Sequence, residues 1–207
     1  MKLLIAQPRL EKELRQLELE MMNHPEADVI IFPEGYINHN IDCACELARK
    51  YSKIIISGYK NPKDRAVVID RDGKLLLDRA KYEDTKLVEV EGNVIGIMLC
   101  DELVLQGMSN LQPTNILFIV HPIGVGMFSE EQFAEWVEEA RKYAIQYKTV
   151  IIGTSHADGS FRDSEVSIPI AYCMDEEGTD IFISKNDTKT RIVTLEPRPG
   201  RSVINLA

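Results

Sequence analysis

Short apolar runs alternate with amphipathic stretches from the beginning of the chain. The apolar runs of strand length are residues 3–6, 28–32, 53–57, 94–99, 115–120 and 150–153. The stretches with the period of a helix that buries one face are residues 10–22, 41–51 and 130–147. Since strands alternate with helices and no linker or internal repeat interrupts them, the pattern predicts one layered α/β domain over residues 1–207.

One segment departs from this alternation. Two short apolar runs, 65–69 and 74–77, are separated by Asp70-Arg71-Asp72-Gly73. Because Asp-Gly readily adopts the backbone of a tight turn, this segment predicts an antiparallel hairpin. After residue 163 the helical period disappears, and only short β runs are predicted.

Composition excludes several classes of partner. The chain has 207 residues and a formal net charge of -9, which is unfavourable for binding nucleic acid or an anionic membrane surface. The apolar run 3–6 is too short for a secretion signal, and no run approaches the roughly 20 apolar residues of a membrane-spanning helix. We therefore expect a cytoplasmic protein whose four cysteines, Cys43, Cys45, Cys100 and Cys173, are free thiols.

Three apolar runs are each followed closely by a reactive side chain. Glu34 lies in VIIFPEG, Lys81 in LLLDRAKYED and Cys100 in VIGIMLCDE. In open α/β sheets, ligands bind at the carboxyl ends of strands, which is where these three residues are predicted to lie. Their spacing does not show that they converge, because they are far apart in the chain.

These residue types suit attack by a thiol on carbon. A neutral cysteine is a poor nucleophile at pH 7, so it needs a base and a compensating cation. Glu34 is the candidate general base, and Lys81 is the candidate cation for the negative charge that develops on the substrate. The backbone N–H of Asp101 is the candidate second donor to that charge.

The same segments resemble a known family. IIFPEG, a lysine after a strand, and GIMLCDE are similar to the Glu-Lys-Cys blocks of the nitrilase, or carbon-nitrogen hydrolase, superfamily, in the same chain order. EARKYAIQYKTVIIGTSHADG resembles the block that follows the nucleophile. The first strand ending in Ala6-Gln7-Pro8 and the hairpin CMDEEGTDIF, with its turn at Glu177-Gly178, extend the resemblance over nearly the whole chain.

The resemblance implies a four-layer αββα sandwich and a homodimer or larger assembly, with no metal and no organic cofactor. It implies a Glu34-Lys81-Cys100 triad that forms a covalent thioester or thioimidate at Cys100. The expected reaction is hydrolysis of a non-peptide carbon-nitrogen bond in a small molecule, a carboxamide or N-carbamoyl compound and, less favoured, a nitrile. Acyl or amido transfer through the same intermediate stays open, as does a binding or regulatory protein with impaired catalysis.

The chain also departs from the family pattern near Cys100. The family usually has an aromatic residue, an acid and then a Pro-Glu pair, whereas here the run is Asp101-Glu102-Leu103-Val104-Leu105-Gln106, with Glu102 in the acid position. The segment between Lys81 and Cys100 is short, and many members carry a second active-site glutamate there. The candidates for that substrate contact are Glu83, Glu89 and Glu91. Glu83 is favoured because it is nearest to Lys81 in the sequence.

Other residues have plainer interpretations. His121 follows the run 115–120 and is a further candidate for substrate binding, although an ordinary loop position is favoured. Cys100 alone is typical of a buried core thiol, and only Glu34 and Lys81 in matching contexts favour a nucleophile. Trp136 belongs to an apolar helical stripe with Phe133, Val137 and Ala140, which indicates packing.

Overall fold

The computed structural model describes residues 1–84, 86–108, 115–161 and 164–195. The helices in this part of the chain are α1 (Arg15–Asn23), α2 (Ile41–Tyr51), α3 (Glu102–Leu105) and α4 (Glu130–Tyr147). The strands are β1 (Lys2–Ile5), β2 (Val29–Ile31), β3 (Ile54–Lys60), β4 (Asp64–Ile69), β5 (Leu75–Ala80), β6 (Leu87–Val90), β7 (Asn93–Ile97), β8 (Ile116–Ile123), β9 (Val150–Ser155), β10 (Ile170–Met174), β11 (Asp180–Lys185) and β12 (Arg191–Thr194).

The strands form two mixed sheets. The first sheet has the order β12-β1-β2-β3-β4-β5, and the second has the order β11-β10-β9-β8-β7-β6. Each has a parallel centre, β1-β2-β3 in the first sheet and β7-β8-β9 in the second, flanked by antiparallel strands. Glu34 and Cys100 follow β2 and β7, so both lie beyond the carboxyl ends of central parallel strands, where the sequence predicted a site.

Alternation along each strand divides the apolar side chains among three clusters. The cluster between the two sheets includes Ile5, Ile31 and Ile56 of the first sheet with Ile97, Phe118, Val120 and Ile152 of the second. The opposite face of the first sheet packs Leu4, Ile30 and Ile55 against Leu17, Met21, Ala44 and Ala48 of α1 and α2. The opposite face of the second sheet packs Ile119, Ile151 and Tyr172 against α4. The result is a four-layer αββα sandwich, as expected.

Helix α4 has the predicted bounds, and its local sequence explains them. Ser129 is the N-cap, and its side chain accepts a hydrogen bond from the backbone N–H of Gln132. Lys148 ends the helix in the left-handed conformation. The stripe predicted from the sequence lies against the second sheet, with Trp136 5% exposed and Ala140 fully buried.

Helix α1 begins later than the pattern predicted. The expected start at residue 10 is wrong, because residues 10–14 form an irregular segment and the helix begins at Arg15. The carboxylate of Glu11 accepts hydrogen bonds from the backbone N–H of Gln16 and from the hydroxyl of Tyr36, so it satisfies a donor that an earlier helical turn would have used. The apolar Leu10 is exposed and lines a cavity described below.

Strand β6 and its turn were absent from the prediction. Leu87–Val90 pairs antiparallel with β7 across the turn at Glu91-Gly92, where both residues have positive φ. Val88 and Val90 alternate with Glu89 and Glu91, but the strand is only four residues long and Val90 alone is fully buried, so the apolar signal is short. By contrast, the hairpin over residues 65–69 and 74–77 is confirmed as β4 and β5, and the turn at Glu177-Gly178 is confirmed between β10 and β11.

Candidate active site

A cavity of about 510 Å³ opens at the end of the sandwich where β2, β5 and β7 end. Glu34, Lys81 and Cys100 all line it. Residues from three segments that are distant in the sequence, two in the first sheet and one in the second, therefore meet on one wall. This convergence is the feature that the spacing in the sequence could not show.

Glu34 is held by close backbone packing after β2. The hydroxyl of Ser57 donates to the carbonyl of Pro33 at 2.9 Å, and a Cβ atom added to Gly58 would lie 2.9 Å from the Cα of Glu34. The imidazole Nε2 of His156, another residue of the cavity wall, lies 3.2 Å from the carbonyl oxygen of Glu34. These contacts fix the backbone, and only 5% of Glu34 is exposed.

Lys81 lies between two carboxylates. Its Nζ is 3.0 Å from Oε1 of Glu34 and 2.9 Å from Oδ1 of Asp101. Its backbone N–H donates to the carbonyl of Asp64 at 2.8 Å, which extends the β4–β5 ladder by one residue. Tyr82 then turns the chain away with φ of 71°, and its hydroxyl donates to the other oxygen of Asp101 at 2.8 Å.

Cys100 occupies a sharp turn between β7 and α3. Its φ is 42°, a left-handed conformation that is uncommon for a residue with a side chain and that often occurs at functional sites. Its N–H donates to the carbonyl of Pro122 at 2.8 Å, and its carbonyl oxygen lies 2.7 Å from Nε2 of His121. The turn therefore leaves the thiol half-buried on the cavity wall.

Glu102 joins the lysine segment to the cysteine segment. Its fully buried carboxylate accepts from both terminal nitrogens of Arg79, at 2.7 and 2.8 Å, in a bidentate ion pair. It also accepts from the backbone N–H of Tyr82 at 2.6 Å and of Leu99 at 2.7 Å. One side chain thus holds the residues that flank Lys81 and Cys100, which explains the need for an acid at this position.

The electrostatics favour a neutral thiol beside a carboxylate that can accept its proton. Burial raises the pKa of Glu34 to about 7, although the charge of Lys81 opposes the shift. Burial and the charge of Glu34 raise the pKa of Cys100 to about 12, against Lys81 and a hydrogen bond from the backbone of Gly124. Burial opposes protonation of Lys81, but Glu34, Cys100 and Asp101 raise its pKa overall, so it remains a cation.

Two of the residues expected to contact substrate lie elsewhere. Glu83 is exposed, and its carboxylate accepts from the backbone N–H of Ala80 at 3.1 Å rather than lining the cavity. His121 is fully buried in β8, behind Cys100, with Nδ1 against the hydroxyl of Tyr172 and its pKa lowered to about 4 by burial. The alternatives to Glu83 are also remote, since Glu91 pairs with Arg71 and Glu89 is exposed away from the cavity wall.

Two carboxylates that were not predicted from the sequence also line the cavity. The side chain of Asp101 contacts Lys81, although only its backbone N–H was expected to contribute. Asp64, at the first position of β4, also lines the cavity. A role for the Asp101 side chain could have been suspected, because an aromatic residue usually stands at this position in the family that the sequence resembles. No feature of the sequence around Asp64 indicates a place in the site.

Two features are absent from residues 1–84, 86–108, 115–161 and 164–195: a cluster of metal ligands and a helix that could cross a membrane. In this part of the chain, no group of three or more His, Cys, Asp or Glu side chains is arranged to hold a metal ion. None of the helices described above is long and apolar enough to cross a membrane.

The sequence alone matches no known protein family, whereas the structure is similar to solved structures of carbon-nitrogen hydrolases and amidases. No family model and no curated protein matches the chain. The structure is similar to Nit3 of Saccharomyces cerevisiae, a member of branch 10 of the nitrilase superfamily, with a TM-score of 0.78 and 13% identity over 95% of this chain and 90% of that one. It is also similar to a carbon-nitrogen hydrolase from Helicobacter pylori, with a TM-score of 0.76 and 13% identity over 92% of this chain and 87% of that one.

A third similar structure is an amidase from a Nesterenkonia species, with a TM-score of 0.77 and 11% identity over 95% of this chain and 92% of that one. A glutamate-to-glutamine mutant of that amidase shows acrylamide added to its active-site cysteine. Because the identities are low, these similarities establish the fold alone. The chain has the αββα fold of the nitrilase superfamily.

Proposed function

We propose that this protein hydrolyses a non-peptide carbon-nitrogen bond in a small molecule, through an acyl-enzyme on Cys100. The expected substrates are carboxamides and N-carbamoyl compounds, with nitriles less favoured. The observation that carries the proposal is the placement of Cys100 and Glu34 on one cavity wall with Lys81 3.0 Å from the Glu34 carboxylate. The nitrilase-superfamily fold, and the acrylamide adduct on the active-site cysteine of the Nesterenkonia amidase, support it.

In the first half of the reaction, the carboxylate of Glu34 takes the thiol proton as Sγ of Cys100 bonds to the amide carbon. The π electrons of the carbonyl move to its oxygen, where Lys81 and the N–H of Asp101 would stabilise the negative charge. Among the described residues, that N–H has no hydrogen-bond acceptor, so it is available to a substrate. The tetrahedral intermediate then expels the amine, which receives the proton from Glu34, and a thioester remains.

In the second half, Glu34 removes a proton from water as the water oxygen bonds to the thioester carbon. The second tetrahedral intermediate collapses, the C–S bond breaks, and the sulfur recovers its proton from Glu34 while the carboxylic acid leaves. The pKa of Glu34, raised to about 7, suits a group that must accept and return a proton near neutral pH.

Product analysis tests this proposal. Purified protein is incubated with a panel of carboxamides, N-carbamoyl compounds and nitriles, and ammonia and the acid product are both quantified. We expect turnover of at least one amide-like class, its loss in Cys100→Ala and Glu34→Gln, and its retention in Cys43→Ala, which changes an exposed cysteine on α2. Equal turnover by Cys100→Ala and wild type would refute the mechanism, and transfer of the acyl group to an added amine in preference to water would make the protein a transferase.

A further inference from the structure

Two opposite charges on the cavity wall have no part in the chemistry described above. Lys60 and Asp64 both line the cavity that contains Cys100. They are the terminal pair of the β3–β4 ladder and lie directly opposite each other in register. Residues in that relation have Cβ atoms roughly 4.5–5.5 Å apart, so the two side chains begin as close neighbours.

Neither charge is neutralised by the protein. Lys60 and Asp64 have no side-chain hydrogen bond and no oppositely charged atom within 4.0 Å among the residues that the structure describes, each other included. The other lysine of the wall differs sharply, because Lys81 contacts both Glu34 and Asp101. A cation and an anion are therefore left side by side and available in the cavity.

This pair lies close to the reacting centre. The carbonyl oxygen of Asp64 accepts the backbone N–H of Lys81 at 2.8 Å. The negative charge of Asp64 also contributes to raising the pKa of Glu34, as expected for carboxylates on the same wall. Asp64 is half-buried and Lys60 is exposed, so the pair runs from the cavity wall to its rim.

We propose that the substrate is an amide or ureido compound whose far end is a zwitterion of the α-amino-acid type. Asp64 would contact its ammonium group and Lys60 its carboxylate, while the scissile carbon lies at Cys100. This inference rests on the proposed function and names its substrate class. Substrates with one charge would meet a repulsive as well as an attractive partner, which gives the site a basis for discrimination. Met127 and Phe128, on the same cavity, offer an apolar surface to the carbon chain between the two ends.

Binding to the Cys100→Ala variant tests this inference without turnover. Ligand-observed NMR titrations compare four amides of similar length: glutamine as zwitterion, δ-aminovaleramide as cation, glutaramate as anion and butyramide as neutral reference. We expect glutamine to bind most tightly. Asp64→Asn and Lys60→Gln, each added to Cys100→Ala, are expected to lower the ratio of glutamine affinity to butyramide affinity about tenfold. Lys63→Gln is the matched control, because Lys63 is exposed in the same hairpin but does not line the cavity.

The outcomes separate this inference from the proposed function. Glutamine that binds no more tightly than butyramide, or a ratio that changes equally in Lys63→Gln, overturns the zwitterion site even if wild-type protein hydrolyses amides. Selective loss in Asp64→Asn and Lys60→Gln supports the site even if no amide is turned over, in which case the proposed function is the part that fails. Thermal melting of each variant checks that the lost affinity is not lost folding.

Discussion

Replacement of Glu102 by glutamine should cost much of the stability of this protein. The carboxylate of Glu102 is fully buried and accepts four hydrogen bonds, from two nitrogens of Arg79 and from the backbone N–H groups of Tyr82 and Leu99. Glutamine has one acceptor oxygen, and its amide nitrogen would face two of those donors. The guanidinium of Arg79, itself 2% exposed, would lose its counter-charge.

The magnitude follows from that geometry. Removal of one partner from a buried ion pair typically costs about 3–5 kcal/mol, which is a large share of the roughly 5–15 kcal/mol that stabilises a folded domain. Since the same carboxylate holds the residues beside Lys81 and Cys100, we also expect a loss of activity in protein that remains folded.

Urea unfolding measures the effect. We expect the unfolding midpoint of Glu102→Gln to fall with little change in the denaturant slope. The double variant Arg79→Met with Glu102→Leu should be more stable than Glu102→Gln, because it leaves no unpaired buried charge. Two results would refute this account of the pair. One is a loss of unfolding free energy below about 1 kcal/mol in Glu102→Gln, and the other is a loss in the double variant that equals the sum of the losses in Arg79→Met alone and Glu102→Leu alone.

Acid should weaken the same pair. The pKa of Glu102 is lowered, because the hydrogen bonds from Arg79 and from the backbone outweigh the effect of burial. A carboxylate with a lowered pKa in the folded state contributes stability at pH values above its unfolded pKa, and that contribution is lost as the pH falls through the folded pKa. The stability difference between wild type and Glu102→Gln should therefore shrink at acidic pH.

Three further predictions concern the residues around the nucleophile. The rate of amide turnover should rise as the pH increases through about 7, because Glu34 must be ionised to accept the thiol proton; a profile that is flat from pH 5 to pH 8 would contradict this. Gly58→Ala should reduce kcat at least tenfold, because its Cβ would lie 2.9 Å from the Cα of Glu34 and from the N of Gly35. Gly124→Ala should reduce kcat less, because its Cβ would lie 3.2 Å from the flexible Glu34 carboxylate. Steady-state kinetics measures both variants, and a larger loss in Gly124→Ala would contradict this account. Tyr172→Phe should lower the free energy of unfolding by about 1–3 kcal/mol, because it leaves Nδ1 of the buried His121 unpaired; no shift of the urea midpoint would show that this hydrogen bond contributes nothing.

The pattern of apolar residues in the sequence predicts those helices and strands that bury a continuous apolar face of their own. Helix α4 has a complete stripe and a capping serine, so both its bounds could be predicted. Helix α1 shows the limit, because the apolar period continues through residues 10–14, whereas the hydrogen bonds that the Glu11 carboxylate accepts from Gln16 and Tyr36 decide where the helix starts. Strand β6 is only four residues long, with Val90 buried and Leu87 and Val88 half-buried, and its position depends on pairing with β7, which such a short local pattern does not show.

The candidate site divides in the same way. Glu34, Lys81 and Cys100 could be proposed because each follows a strand and matches a family block. The carboxylate of Asp101 on Lys81, and the presence of Asp64 on the wall, depend on how two sheets meet, so they required the structure. His121 was expected just beyond the apolar run 115–120, where an ordinary loop position was favoured. The structure extends β8 to Ile123, because residues 121–123 pair with residues 153–155 of β9, and the buried imidazole finds partners in Tyr172 and the Cys100 carbonyl.

The most direct test of the central claim is the mass of the protein during turnover. Wild-type protein is mixed with the best amide of the panel, quenched with acid within milliseconds to seconds, and measured intact and after digestion. Our account predicts an added acyl group, without the amine of the substrate, on the peptide that contains Cys100, and no such adduct in Cys100→Ala or Glu34→Gln. An adduct of the same mass in Cys100→Ala, or turnover with Cys100 unmodified at every quench time while another residue carries the acyl group, would contradict it.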